Sequence, residues 1–317
     1  MPAIILDCDP GHDDAIAMLY AAGHANIELL AVTTVAGNQT IEKVTRNALA
    51  VGEIAGLHGV PFARGAGRPL VRDAVVAPEY HGESGLDGPE LPDSTIELAQ
   101  EHAVDLIIRT VLAAEPGSIT LVPTGALTNI ALAVRKEPRI VELVKEVVLM
   151  GGAMRGGNYS ASAEYNIAID PEAAHIVFGA GWNVVMMGLD ITHLALADES
   201  VQAGIAAIGN RAGAFTSELL EFFTGSYREQ GFGWPPVHDV LAVAYVANPS
   251  VFTLLRAPIH IELHGEFTTG MTVVDTRRPA DESCTTALGI ALDVAEFWDD
   301  VRASLAAVPD RPLVASA

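Results

Sequence analysis

The sequence predicts an α/β fold with an open, mainly parallel sheet flanked by helices and a small β-hairpin late in the chain. Three observations carry this. Short runs rich in apolar and β-branched residues alternate with longer amphipathic stretches, the pattern of successive βα units around a buried parallel sheet. No linker, repeat or low-complexity tract divides the 317 residues, so 1–317 read as one domain. Polar residues collect where the expected strands end, which is where Rossmann-like sheets gather ligands.

The first strand, Ala3–Cys8, is an apolar run that stops at acidic residues, and the helix Asp13–Ala22 follows. Glu28–Val35 is the second strand and Ile41–Ala55 the second helix. Gly65–Pro92 is rich in glycine and proline, lacks periodicity and is long for a connection, which marks a functional loop. The alternation resumes with helix Ala99–Ala114, strand Ser118–Pro123, helix Leu127–Arg135 and strand Val147–Met150. Helix Pro171–Phe178, strand Asn183–Leu189 and helix Ala214–Arg228 continue it. Ile259–Leu263 and Met271–Thr276 flank the turn His264-Gly265-Glu266 as a hairpin, and Ala287–Ala306 closes the chain as a helix.

Composition removes several function classes. Half the residues are hydrophobic, which excludes a disordered or fibrous chain. With 18 basic and 40 acidic residues the net charge is −22, and such a surface repels nucleic acids and anionic membranes. A neutral small molecule or a bound cation suits it better. Two cysteines, Cys8 and Cys284, are too few for a disulfide framework or a zinc cage. Met1–Leu6 carries no basic segment of the signal-peptide kind, and the apolar run Val240–Ala247 is too short to span a bilayer. A soluble, cytoplasmic protein is expected.

The most informative segment is Asp7-Cys8-Asp9-Pro10-Gly11-His12-Asp13-Asp14. Asp7 and Asp9 share a face of the extended strand, Pro10 and Gly11 turn the chain, and Asp13 and Asp14 open a helix whose free N–H groups favour anions. A helix cap needs one acid; four within eight residues repel one another unless a cation neutralises them. Hard oxygen ligands point to Ca²⁺ or Mg²⁺. An EF-hand starting at Asp7 fails, because His12 and Met18 stand where Gly and an acidic ligand are needed. A haloacid-dehalogenase-like phosphatase also starts with Asp-x-Asp at a strand end, but Gly11 stands where Thr or Val is usual. That phosphatase is the alternative enzyme class.

Other strand ends add polar groups. These are Asn38 after Thr33-Thr34, Thr124 before Leu127-Thr128-Asn129, Met150-Gly151-Gly152 with Asn158, Glu164 and Asn166 beyond it, and His238-Asp239 before an apolar run. Singly, each reads equally as a turn or cap residue. Together, carboxylates, amides and hydroxyls at successive strand ends suit a sugar.

These blocks resemble the nucleoside hydrolases of the inosine–uridine type. The resemblance rests on Asp7–Ala15, Pro123–Ala131, Met150-Gly151-Gly152, Glu164-Tyr165-Asn166 with Asp170–Ala174, and His238-Asp239, which occur in family order from residue 4 to about 245. It implies Ca²⁺-dependent hydrolysis of a ribonucleoside to ribose and free base, with the ion held by Asp9, Asp14, Asp239 and the Thr124 carbonyl. Asp13, Asn38, Glu164, Asn166 and Asp239 are then expected to grip the ribose, with Asn158 and Met150 near it and Asp7 behind the acidic cluster. Asp9 is the expected base for the attacking water, and His238 a candidate acid for the leaving base. His81 matches a histidine lining the base pocket. Tyr227 and Trp234 either stack on the base or pack as ordinary aromatics.

A purine-specific subgroup of the family uses tryptophan stacking in place of the histidine beside the metal aspartate, so His238 points elsewhere. His12 resembles the bacterial pyrimidine-preferring members. Uridine and cytidine are therefore the expected substrates, with inosine close behind. The likeness also implies a homotetramer or homodimer. A nucleoside sensor that has lost turnover is the non-enzyme alternative, although it would need neither Asp9 nor His238.

Overall fold

A computed structural model describes residues 1–310. Its strands are β1 (Ala3–Cys8), β2 (Glu28–Thr34), β3 (Phe62–Arg64), β4 (Ile119–Pro123), β5 (Val144–Met150), β6 (Val184–Met187), β7 (Phe252–Arg256), β8 (Ile259–Ile261), β9 (Thr272–Val274) and β10 (Thr286–Leu292). Eight form one sheet in the order β3-β2-β1-β4-β5-β6-β10-β7, and β8 and β9 pair separately as the expected antiparallel hairpin. All pairs in the large sheet are parallel except β10 with β7.

The strands are apolar without alternation because helices cover both faces. In β1, Ile4, Leu6 and Cys8 enter one core with residues of the helices His12–Gly23, Arg211–Glu229, Val240–Ala247 and Val294–Ala307. Ile5 enters the other core, against Ala103–Ala113, Thr128–Lys136 and Pro171–Phe178. The strand order runs outward from β1 in both directions, so the crevice between the ends of β1 and β4 is a topological switch point. Asp7 pairs there with Pro123, which brings Thr124 and Gly125 beside Cys8 and Asp9 just beyond.

Several expectations need correction. Ala287–Ala306 is not one helix: Thr286–Leu292 is β10, and the helix begins at Val294 behind Asp293, whose carboxylate accepts the Glu296 N–H. An apolar run of that length reads equally as strand or helix, and Gly289 in its middle weakens a helix. Pairing on both sides, with β6 and β7, decides for strand. Asn183–Leu189 is likewise shorter, because Leu189–Thr192 turns into a short helix. The short β3 and the edge strand β7 were not expected. Residues 65–92 hold one helical turn, Pro78–His81, and are otherwise irregular. Among the described residues no helix is long and apolar enough to cross a membrane.

Candidate active site

β1 delivers Asp9 to the switch point, and Gly11 caps the helix that carries Asp13 and Asp14. Asp14 accepts the Gly11 N–H at 3.1 Å and the Thr124 hydroxyl at 2.7 Å. Asn38 donates its backbone N–H to Asp9 Oδ2 at 2.7 Å and its amide to Asp14 Oδ2 at 3.3 Å. Asp239, at the start of Val240–Ala247, completes the cluster. Asp13, Asp14 and Asp239 offer carboxylate oxygens that all lie within 4.8 Å of one another. Two oxygens on one Ca²⁺, each about 2.3–2.6 Å away, fall within that separation. Asp9 lies beside this triple rather than inside it, and its Oδ1 is buried with no hydrogen-bond partner.

The backbone closes tightly around Asp9. A Cβ at Gly37 would stand 2.0 Å from Asp9 Oδ2, and one at Gly125 2.4 Å from Oδ1. A side chain at either place would have to push the Asp9 carboxylate aside. The donors to Asp9 and Asp14 are hydroxyl, amide and backbone groups, all neutral. Burial raises Asp13 to about 7 and Asp14 to about 6, and lifts Asp9 and Asp239 well above the usual carboxylate range. Neighbouring carboxylates add to the rise at Asp9, Asp13 and Asp239. Buried oxygens this close, one of them unpaired, fit a hard divalent cation. Asp7 stands behind them, accepting from Thr33 Oγ1 at 2.6 Å and Asn129 Nδ2 at 2.8 Å, and burial raises it to about 7.

On the next strand ends, Asn166 donates to the carbonyls of Thr124 at 2.8 Å and Met150 at 3.2 Å. Glu164 caps the helix Tyr165–Ile169 and also accepts the Gly152 N–H at 2.7 Å. Burial lifts its carboxyl to about 7. Asn158 is exposed, and its Oδ1 accepts the Tyr165 N–H at 2.9 Å. Tyr165 reaches across the mouth and donates its hydroxyl to Gly37 O at 2.9 Å.

The opposite wall is aromatic. His238 Nδ1 lies 2.7 Å from the Thr192 hydroxyl, and its Nε2 lies 3.4 Å from the Tyr227 hydroxyl. Burial, with His193 adding, lowers His238 to about 3. His81 stacks on Phe223 and on His12, whose Nδ1 is 3.0 Å from His81 Nδ1. Burial, with His12 and His238 adding, also lowers His81. Both imidazoles are neutral near pH 7. Tyr227 meets Phe223 and Tyr80 edge-on, at 4.9 and 5.7 Å between ring centres. Trp234 instead carries the Arg228 guanidinium 4.6 Å above its ring.

Sequence reasoning quoted Asn129 without giving it a role and missed Thr192 and Phe223. The first two follow the ends of β4 and β6, so the strand-end rule that found Asn38 and Thr124 would have reached them. Phe223 sits in the middle of the helix Arg211–Glu229 and gives no local signal.

The chain and its fold have close counterparts. Residues 4–299 match the family "Inosine-uridine preferring nucleoside hydrolase". A protein of that name from Leishmania major is 53% identical over 296 residues, covering 93% of this chain and 94% of the relative. A "Pyrimidine-specific ribonucleoside hydrolase" from Photobacterium profundum is 43% identical, covering 93% and 96%. Among solved structures, the "Purine-Preferring Ribonucleoside Hydrolase from Gardnerella vaginalis" superposes with a TM-score of 0.91 at 34% identity, covering 96% of this chain and 98% of the other. Fold, site and relatives define an N-glycosyl hydrolase. The chain belongs to the inosine-uridine preferring nucleoside hydrolase family, whose members are metal-dependent.

Proposed function

We propose that this enzyme hydrolyses uridine and cytidine, with inosine close behind, to ribose and free base in a Ca²⁺-dependent reaction. The observation that carries it is the buried acidic cluster, held by neutral donors beside Glu164 and Asn166 and faced by two neutral histidines. Base preference draws on the relatives' names: uridine belongs both to those called inosine-uridine preferring and to those called pyrimidine-specific.

Asp9, Asp14, Asp239 and the Thr124 carbonyl would hold the ion, with Asp13 adjoining. When bound, a Ca²⁺ there supplies charge that acidifies water and anchors hydroxyl groups. Breaking the glycosidic bond builds positive charge on the ribosyl ring and negative charge on the base. Asp9, with Oδ1 unpaired, takes the proton of the attacking water. Asp13, Asn38, Glu164, Asn166 and Asp239 grip the ribose, Asn158 and Met150 border it, and the carboxylates stabilise the positive ring. With the Thr192 hydroxyl donating to Nδ1, His238 turns an Nε2–H toward the leaving base. His81 and Tyr227 line the base side. Asp7 supports the cluster from behind.

The test is ribose release from uridine, cytidine, inosine and adenosine, with and without inorganic phosphate. Phosphate-independent release, fastest from the pyrimidine nucleosides, is expected. Ribose 1-phosphate as product, or adenosine as the best substrate, would overturn the reading. The family assignment leaves the phosphatase alternative without support.

A further inference from the structure

We propose that Asn47 is a positioning residue for the base side of the site, clamping the segment that carries His81 onto the acidic turn. Asn47 is buried on the helix Ile41–Ala55 and lies on neither wall of the site. Its Nδ2 donates to two backbone carbonyls: Pro10 O at 3.1 Å, inside the acidic turn, and Ser84 O at 3.0 Å, three residues past His81. Two acceptors fix which way the amide faces, because the reverse orientation sets Oδ1 against both carbonyls. The His81 segment needs outside anchors: Pro78–His81 is a single turn whose N-cap makes no side-chain hydrogen bond. Gln39 adds a weaker hold, with Nε2 3.3 Å from Glu83 O. His12 joins the same two segments, with Nε2 2.9 Å from Asp87 O. Of these, Asn47 binds a carbonyl in each segment with one group.

The inference rests on the proposed place of His81 in the base pocket. It predicts that Asn47 matters to natural nucleosides, whose bases seat against His81, and little to p-nitrophenyl riboside, whose leaving group departs unaided. Asn47→Asp keeps the shape and removes both donors. Displacements of about 1 Å can cost about 10²-fold, so kcat/KM for uridine should fall by about 10- to 100-fold. The value for p-nitrophenyl riboside should change by less than about 3-fold. In a His81→Ala background, Asn47→Asp should cost uridine hydrolysis almost nothing further, the non-additivity expected of residues acting through one another. Melting temperatures establish that each variant is folded. If Asn47→Asp does not fold, Asn47→Ser, which retains one hydroxyl donor, enters the same cycle. Equal losses on both substrates, or full additivity with His81→Ala, overturn the proposal while the place of His81 stands. A His81→Ala enzyme with normal uridine turnover removes His81 from the base pocket, and the clamp role falls with it.

Discussion

On the sheet side of the site, Asp7, Asp9, Thr124 and Met150 stand at or just beyond the ends of β1, β4 and β5, within hydrogen-bonding reach of Thr33, Asn38, Asn129 and Asn166. On the opposite side, His81, Thr192, Tyr227 and His238 come from four separate segments, none of them a strand. The sheet side is held by backbone pairing and dense polar contacts. The other wall is held by ring stacking and single hydrogen bonds. On the proposed reading, ribosyl chemistry common to all nucleosides falls to the sheet side, and discrimination among bases falls to segments outside the sheet that can change without disturbing it.

Removing Asp9's charge should have the largest effect. Asp9→Asn deletes the proposed base and a carboxylate of the acidic cluster, so kcat should fall by about 10⁴-fold or more for every substrate. Near-normal turnover of the calcium-saturated variant would take Asp9 out of the mechanism. Uniform loss, whatever the base, is what separates the two sides. The ribose hydroxyls come next. A site built to bind polar groups rejects an analogue lacking one by about 10⁴-fold, so 2′-deoxyuridine should trail uridine by that order in kcat/KM. Comparable values would remove the diol from the proposed contact.

The two sides also differ in how much of them was legible. Asp7 to Asp14 form one uninterrupted motif, and its chemistry follows from residue type and spacing. Asn38 and Thr124 were reachable because strand ends are places where ligands gather. His81 and Phe223 are 142 positions apart in sequence yet stack at 5.3 Å, a contact that no local pattern carries. The fold behaved similarly. β1, β2 and β4 stood out as apolar runs, whereas β10 looked like the start of a helix until its neighbours were known. The resemblance names Asp9 beside Asp14 and Asp239 as a metal ligand, and the carboxylate oxygens grouped within 4.8 Å are those of Asp13, Asp14 and Asp239, a nearness of Asp13 that position along a turn does not announce.

His238→Ala should cost natural nucleosides about 10²–10³-fold in kcat, the usual worth of a hydrogen-bond donor aimed at negative charge that builds on a leaving group. Hydrolysis of p-nitrophenyl riboside should suffer far less. Equal losses would mean that His238 serves Asp239 rather than the base, and His81 would become the better activator. Asn38→Ala should be milder, because it leaves the Asn38 backbone N–H on Asp9 and removes only amide contacts to the Asp9 carbonyl at 3.2 Å and to Asp14 at 3.3 Å. A loss of about 10- to 100-fold, similar for uridine and inosine, is expected in steady-state assays from one polar contact to a charged site. A loss that depends on the base would place Asn38 on the wrong side of the comparison.

The smallest effect should come from Thr192→Val, and it tests the base side most narrowly. Valine keeps the volume of threonine and removes the hydroxyl 2.7 Å from His238 Nδ1. The ring then loses the partner that fixes which nitrogen carries the proton, and a buried nitrogen is left unpaired. Such a loss is worth about 1–2 kcal/mol, or about 10-fold in rate where the proton position matters. Uridine and cytidine should slow by that factor, and p-nitrophenyl riboside should stay within about 2-fold of wild type. The alternative is that Thr192 anchors the turn after β6, so that its hydroxyl serves the fold. The melting temperature would then drop while the ratio of the two substrates stayed constant. A changed ratio with an unchanged melting temperature assigns the hydroxyl to the chemistry of the leaving base.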